Sequence, residues 1–411
     1  MTRYVAYITL EADTPLKVGS NASDFLQDSP VQKDWNNLPM ILGTSIAGVL
    51  RKEFSTTEAD DIFGNDNGSK VIFSNALLLD EKNRVNETLL LEKSPFLKIF
   101  DNLPIREHTA ITDKGVAKEH SKFDEEVVYK GTRFIFSIEM VDNEDNFYKI
   151  LELLQTNSFR IGGASTKGFG KFKTLDIKTQ KFDEHSYKDY NSSLNTVLQE
   201  SYTLKKTLSQ TYTTYTLKIE PDNFFMFGSG FGDIDADMTP VYEQIVDYEN
   251  KKLSNKMVLI PASSIKGAIS HRTTFHYNKI KGNTIENGNG IDVLKEIFGE
   301  AKNSKKDIYG SKGKLLISDC FKKNKNEVKT FDHVSIDRFT GGALDGALFQ
   351  EKTIAQKDEW GIEILLEKGI DSDSITAFEK SLDDICNGML ALGGATTKGH
   401  GIFSGEWSKY E

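Results

Sequence analysis

Gly162-Gly163-Ala164-Ser165-Thr166-Lys167-Gly168-Phe169-Gly170 recurs almost letter for letter as Gly393-Gly394-Ala395-Thr396-Thr397-Lys398-Gly399-His400-Gly401. Other matches precede it in the same order. Thr44-Ser45-Ile46-Ala47-Gly48 returns as Ser263-Ser264-Ile265-Lys266-Gly267, and Ile62-Phe63-Gly64 as Ile297-Phe298-Gly299. His108-Thr109-Ala110-Ile111 returns as His333-Val334-Ser335-Ile336. Near each start, Gly19-Ser20 and Asp28 match Gly228-Ser229 and Asp237 at one common separation. Ordered matches at changing separations describe two copies of one frame with loops of different length. The reading is two homologous modules, 1–178 and 209–411. They are joined by a polar connection, 179–208, rich in Lys, Ser and Asn and long enough for a short helix.

Each copy has the same order of patterns. Tyr4–Ala12 and Tyr212–Ile219 are rich in β-branched and aromatic residues and predict opening strands. Gly43–Phe54 and Ala262–Tyr277 carry apolar residues at helical spacing behind Thr or Ser caps. Val71–Leu79 and Lys314–Cys320 predict second strands, and Thr132–Met140 and Trp360–Leu366 third strands. Glu144–Asn157 and Asp373–Leu390 predict amphipathic helices. Short strands and the glycine loop close each copy. The expected class is α+β, with two tandem ferredoxin-like (RRM-like, βαββαβ) modules. That fold hosts many activities and does not by itself name one.

Composition narrows the classes. The 411 residues hold 51 Lys plus Arg against 61 Asp plus Glu, a net charge of −10, which excludes a wholly basic nucleic-acid coat. The charge is segregated: 302–329 has nine lysines against Asp307, Asp319 and Glu327, and Asp233–Glu249 has six acids and no Lys or Arg. The basic run either tracks phosphates or is solvated surface. No apolar run approaches the ~18 residues of a membrane span, and Met1-Thr2-Arg3 opens no signal-peptide pattern. Cys320 and Cys386 are too few for a thiolate zinc site or a disulfide framework, so a cytoplasmic setting is expected.

The repeated glycine loop has two physical readings. Glycines permit positive φ and close backbone approach, so successive N–H groups can cradle a phosphate, with Lys167 or Lys398 adding charge. The same glycines also suit a tight turn packing strand against helix.

These loops resemble the glycine-rich loop of the RAMP superfamily of CRISPR proteins. Ile336-Asp337-Arg338-Phe339-Thr340-Gly341-Gly342-Ala343, followed by Leu348-Phe349 and Glu351, resembles a signature of the backbone subunits of type III CRISPR effector complexes. Leu38-Pro39 with Leu42–Arg51, and more closely Ile260-Pro261-Ala262-Ser263-Ser264-Ile265-Lys266-Gly267, resemble a Pro-x-Ile-Pro-Gly-Ser-Ser-Leu-Lys-Gly segment of that family. The resemblance covers both modules, and two in tandem resemble fused backbone proteins. It implies a filament-like scaffold on a guide (CRISPR) RNA, with complementary target RNA and other type III effector subunits as partners and no membrane. Ser45, Arg51, Lys52, Ser264, Lys266, His271 and Arg272 on the early helices would contact the guide, as would Gly163, Lys167, Gly394 and Lys398 in the loops and Arg338. Phosphate contacts of this kind position without reading sequence. Thumb hairpins within His108–Val127 and His333–Lys352 would wedge the guide–target duplex. The first copy has Ile111-Thr112-Asp113-Lys114 and so lacks the Asp337-Arg338 pair, which also fits a plain ion pair.

The resemblance also implies endoribonuclease activity within the assembled complex, through an Asp in an Asp-x-Pro-Val loop. Gln27-Asp28-Ser29-Pro30-Val31 matches that form, and Asp237-Met238-Thr239-Pro240-Val241 matches it with one extra residue. Asp28 and Asp237 would serve as bases or hold a hydrated divalent cation, Mg²⁺ or Mn²⁺, mainly through water and RNA. Asp233 and Asp235 stand close to Asp237, and Asp before Pro also marks ordinary turns. Two alternatives share the fold: a non-catalytic RNA-binding scaffold, and a guide-RNA-processing endoribonuclease. For the latter only His271 and His276 put imidazoles on an early helix.

Overall fold

The computed structural model describes residues 2–20, 30–65, 68–112, 116–204, 209–283, 294–300 and 310–410. The first half contains β1 (Arg3–Ala12), α1 (Gly43–Arg51), α2 (Thr56–Phe63), β2 (Val71–Phe73), β3 (Ala76–Leu78), β4 (Ile105–His108), β5 (Phe123–Glu126), β6 (Arg133–Val141), α3 (Glu144–Leu153) and β7 (Phe172–Phe182). The second contains β8 (Tyr212–Pro221), β9 (Met257–Ile260), α4 (Ala262–Lys281), β10 (Leu315–Ile317), β11 (Cys320–Lys323), β12 (Val328–His333), β13 (Phe349–Ile354), β14 (Trp360–Glu367), α5 (Ser372–Cys386) and β15 (Phe403–Tyr410).

The two largest sheets place the opening strand in the middle. In the first, β1 lies between β6 and β7, and β2 and β3 pair with the far side of β6. In the second the order is β10, β14, β8, β15. All these pairs are antiparallel, with Tyr4 opposite Met140 and Tyr215 opposite Ile364. β9 pairs with β11 and with Tyr242–Glu243 in a smaller three-stranded sheet, and the two longest hairpins, β4–β5 and β12–β13, are paired separately from these sheets. Among the described residues no helix is long and apolar enough to cross a membrane.

The sheets differ in how they are covered. Val5, Ala6, Tyr7 and Ile8 are all buried, whereas β8 alternates buried and exposed from Tyr215 to Ile219. Continuous burial requires cover on both faces. Part of that cover comes from the segment after β7: Leu194 and Leu198 are buried in the first core, and the Tyr7 hydroxyl donates to Asn191 O at 2.8 Å. Glu200–Ser201 pairs with β7, and the short helix expected in this connection is one 3₁₀ turn, Tyr187–Asp189.

Helix limits differ from the sequence expectation. α1 ends at Arg51, not Phe54, and α4 continues past Tyr277 to Lys281, where Gly282 closes it at φ 67°. Neither has a Thr or Ser cap; the N-cap positions are Leu42 and Pro261. Instead the Gly43 N–H donates to Asn75 Oδ1 at 2.9 Å and the Ala262 N–H to Asp319 Oδ1 at 2.8 Å. The predicted second strands are accordingly broken at Ser74-Asn75 and Ser318-Asp319, where the chain turns these side chains toward the helix starts.

Candidate nucleic-acid interface

The two glycine loops share one conformation. Gly162 and Gly393 both have φ 92°, Ala164 and Ala395 sit at 56° and 55°, and Gly170 and Gly401 at 77° and 76°. The Gly163 N–H donates to Lys17 O at 2.8 Å and that of Gly394 to Met226 O at 2.7 Å. Gly170 and Gly401 donate to Pro15 O and Phe224 O, at 2.9 and 2.8 Å. A Cβ at Gly162 or Gly393 would overlap the same carbonyls of Lys17 and Met226. The glycines therefore dock each loop on the chain just after the opening strand, and the N–H groups of Gly163 and Gly394 are used there, not aimed at a ligand.

The loop lysines have different surroundings. Lys398 pairs with the fully buried Glu351 at 2.6 Å. In the first half Lys17 takes the corresponding carboxylate, Glu125, and Lys167 lies over the Phe123 ring, 5.2 Å from its centroid. The first loop also meets the second half: Lys266 Nζ donates to Thr166 Oγ1 at 3.1 Å. Burial, and then repulsion from Lys167, pull the Lys266 ammonium down to about 8. Ser264, two residues earlier on α4, is exposed. Lys167 and Lys266 thus converge where the halves meet, and Ser264 instead lines the cleft beside the first hairpin.

Other predicted contacts are engaged elsewhere. Arg51 binds Asp60 and Gly64 O, and Arg272 binds Asp384, which also bonds His276 Nε2 at 2.6 Å. That arrangement makes His276 a structural histidine. Ser45 is half-buried in the first turn of α1, and Lys52 and His271 are exposed. Arg338 is exposed at the tip of the second hairpin beside Phe339, Ile336 and Leu348, also exposed. Asp337 accepts the N–H groups of Phe339 and Thr340 at 2.7 and 2.8 Å, which builds the turn. In the basic run, Lys314 and Lys325 pair with Glu296 and Asp358, both at 2.8 Å.

Both hairpins begin before the expected thumb segments, at Ile105 and Val328, and carry a His–Glu pair near the loop end of their paired strands. His108 stacks on Phe123 and lies 3.4 Å from Glu125; His333 stacks on Phe349 and lies 3.4 Å from Glu351. Burial pushes the Glu125 carboxyl up, but His108 and Lys17 outweigh it and hold it at about 2.

Asp28 lies outside the described residues. Asp237 is exposed, and its Oδ2 accepts the Gln350 N–H at 2.8 Å. The chain beside it zips onto β13 through Met238 N–H to Gln350 O and Lys352 N–H to Met238 O. Lys352 pairs with Asp233 at 2.6 Å and Asp235 at 3.2 Å. Of the three neighbouring acids, Asp237 is therefore the one not taken by Lys352. The other side of this loop faces the first hairpin: Lys122 lies over Phe231, and a Cβ at Gly230 would overlap Glu107. A cleft of about 280 Å³ opens here, lined by Arg106, His108, Ser229, Tyr242, Lys256 and Ser264 among others. Among the described residues no group of three or more His, Cys, Asp or Glu is arranged to hold a metal ion. With Asp233 and Asp235 on Lys352, the donor set does not fit a protein-built cation site, and no step is drawn through one.

Lys352, Arg106 and Asp319 were not among the candidates read from the sequence, and Glu351 stood there only as part of a signature, with no role assigned. The repeat did align Glu125 with Glu351 through the neighbouring Phe123 and Phe349, a signal that could have flagged the pair. Arg106 and Asp319 have no counterpart of like charge in the other copy.

The family model of the RAMP superfamily matches residues 9–173 and 212–404. The chain belongs to the RAMP superfamily. The two RAMP stretches correspond to the two sheets and carry both glycine loops. No curated protein matches the chain. Among solved structures it is similar to a chain of the Type III-B Cmr-beta bound to cognate target RNA, determined by cryo-EM. That match has 18% identity and a TM-score of 0.33, and covers 44% of this chain and 61% of the other.

Proposed function

We propose that this RAMP protein is a tandem backbone subunit of a type III CRISPR ribonucleoprotein. In this reading each half is a ferredoxin-like module, 1–178 and 209–411, with 179–208 between them. Guide RNA runs along the starts of α1 and α4, with Lys167 and Lys266 on its phosphates, Lys52 and Arg338 as further cations, and His271 as a further polar contact. Target RNA pairs with the guide, and other type III subunits complete the complex. The shared strand order, with the opening strand central in each sheet, supports the module assignment.

The cleavage reading rests on one observation: Asp237 is held by Gln350, on the second strand of a hairpin near its loop end, while Lys352 takes its two acidic neighbours. A hairpin that kinks the target strand would bring a ribose 2′-oxygen in line with its own phosphate, a geometry worth several orders of magnitude in rate. Asp237 takes the 2′-hydroxyl proton. The 2′-oxygen bonds to phosphorus, the bond to the 5′-oxygen breaks, the leaving 5′-oxygen takes a proton from solvent water, and a cyclic phosphate and a 5′-hydroxyl result. Asp28 is assigned the equivalent role in the first half.

The test is product mapping on labelled target RNA with the assembled complex. Asp237→Asn should remove one cut and Asp28→Asn another, with guide binding retained. Persistence of both cuts in the double variant would leave the chain a non-catalytic scaffold.

A further inference from the structure

Arg106 sits on β4, in the hairpin of the first half, yet its guanidinium is buried in the second. Nε and Nη2 donate to Glu243, Nη2 at 2.9 Å, and Nη1 donates to Asp319 Oδ2 at 2.6 Å. The Phe169 ring of the first glycine loop covers its face at 4.8 Å. The other oxygen of Asp319 caps α4 through the Ala262 N–H. Gly168, at φ 110°, lies so close that a Cβ would overlap both the Asp319 carboxylate and Ala262. One carboxylate therefore ties together the first hairpin, the first glycine loop and the first turn of α4. A second buried cation, Arg160, reaches Ser318 Oγ from the same side at 3.1 Å.

The repeat supplies an internal control, because every one of these surfaces occurs a second time without its partner. Phe331 stands two residues before His333, as Arg106 stands before His108, and Ala391 stands before Leu392-Gly393 where Arg160 stands before Ile161-Gly162. Asn75 replaces Asp319. It caps α1 in the same way, but it is uncharged and exposed. Ile72 is 53% exposed where its counterpart Leu316 is 3% exposed. Thr396, Lys398 and Gly399 are exposed, whereas Ser165 and Gly168 are buried. Capping a helix thus needs only the side-chain oxygen that Asn and Asp share. The negative charge appears only where Arg106 arrives.

We propose that Arg106, Glu243 and Asp319 form a register lock that fixes the first hairpin relative to α4 and the Asp237 loop, so that the two halves engage RNA at one spacing. These are positioning residues, and only the clause about RNA rests on the function proposed above. The lock also sets order. Placed against Glu243 and Asp319, the Phe331 surface would leave two buried carboxylates without a cation, so the second half of another copy cannot take the place of the first.

The full-length chain tests this. Cysteines introduced at Glu119 and Asp345, exposed on the two hairpins, carry spin labels for a distance measurement. Burial pushes the native Cys320 and Cys386 thiols up to about 11, so labelling at neutral pH favours the introduced sites. The unaltered chain should give one narrow distance distribution. Arg106→Met should broaden it at least twofold. Asp319→Asn should do the same while leaving α4 intact by amide exchange, because Asn still caps. Should Arg106→Met not fold, Arg106→Met with Glu243→Gln and Asp319→Asn is measured in its place; it carries no unpaired buried charge and should also broaden. An unchanged distribution in these variants overturns the lock, as does loss of the first turn of α4 in Asp319→Asn with the spacing kept. Nuclease footprinting on guide RNA forms the second arm. Two protected segments of fixed separation should lose their common register in Arg106→Met. Broadened distances with an unchanged footprint would overturn the RNA clause alone.

Discussion

Lys398 Nζ lies 2.6 Å from Glu351 Oε2, and Glu351 is fully buried. The lysine at the same place in the first loop, Lys167, is not paired in this way because Lys17 serves Glu125. Met226 occupies the position of Lys17 in the second half, which leaves Glu351 to draw its cation from the loop. Two lysines in one motif therefore do different work: one balances a buried acid, and the other is left facing Lys266 at the junction.

The same change at each lysine should separate these roles. Lys398→Ala strands a buried carboxylate that, among the described residues, keeps only His333 and His400 as ion-pair neighbours, at 3.4 and 3.6 Å. It should cost about 1–3 kcal/mol in denaturant unfolding, less than a fully enclosed pair because the lysine is partly exposed. Lys167→Ala should change stability by under ~0.5 kcal/mol and instead lower the salt dependence of RNA affinity by about one counterion.

Lys266 predicts a pH effect on binding. Its ammonium is held at about 8 by burial and by Lys167. Below that value it is charged and fit for a phosphate; above it, the free protein presents a neutral amine. RNA affinity measured by anisotropy should fall from pH 7 to 9, with proton uptake on binding near the upper end. Lys266→Arg, which stays charged throughout, should flatten the profile.

Glu125 predicts an effect on stability instead. Its carboxyl is lowered from the ordinary 4.5 to about 2 in the folded chain. A group depressed by folding stabilises above its unfolded value and loses that contribution as pH falls through the folded one. Unfolding free energy should therefore drop between pH 5 and 2. Glu125→Gln should be less stable at pH 7 and show a shallower drop over that window.

The repeat made the strand and helix order of both halves legible, because periodicity and ordered matches are local signals. The helix caps were not, since Asn75 and Asp319 reach Gly43 and Ala262 from strand breaks distant in sequence. Nor was the work of residues 183–204, although a clue was present: Val5-Ala6-Tyr7-Ile8 reads as a strand covered on both faces, while Thr214–Ile219 alternates. At the candidate site, Asp237 stood out by its spacing, yet Lys352, which sets it apart from Asp233 and Asp235, lies on another element. The junction residues were hidden for a further reason. A repeat highlights what two copies share, and Arg106 and Asp319 matter because their counterparts are Phe331 and Asn75.

That asymmetry also sets apart two glycines of identical motif position. Gly168 and Gly399 both have positive φ, 110° and 87°, so alanine at either is strained by about 1–2 kcal/mol. Around Gly399 there is open space, and strain is the whole cost. At Gly168 the added methyl would also meet the Asp319 carboxylate and Ala262 Cβ, neither of which can withdraw without disturbing Arg106 or the cap of α4. Overpacking of that kind adds about 1–3 kcal/mol. Gly168→Ala should therefore unfold at clearly lower denaturant than Gly399→Ala, and it should raise amide exchange at Ala262 and in the first turn of α4. Restoring room by Asp319→Asn should not rescue it, because Asn fills the same space. Equal destabilisation by the two alanines would mean that the halves do not meet at Gly168 in solution.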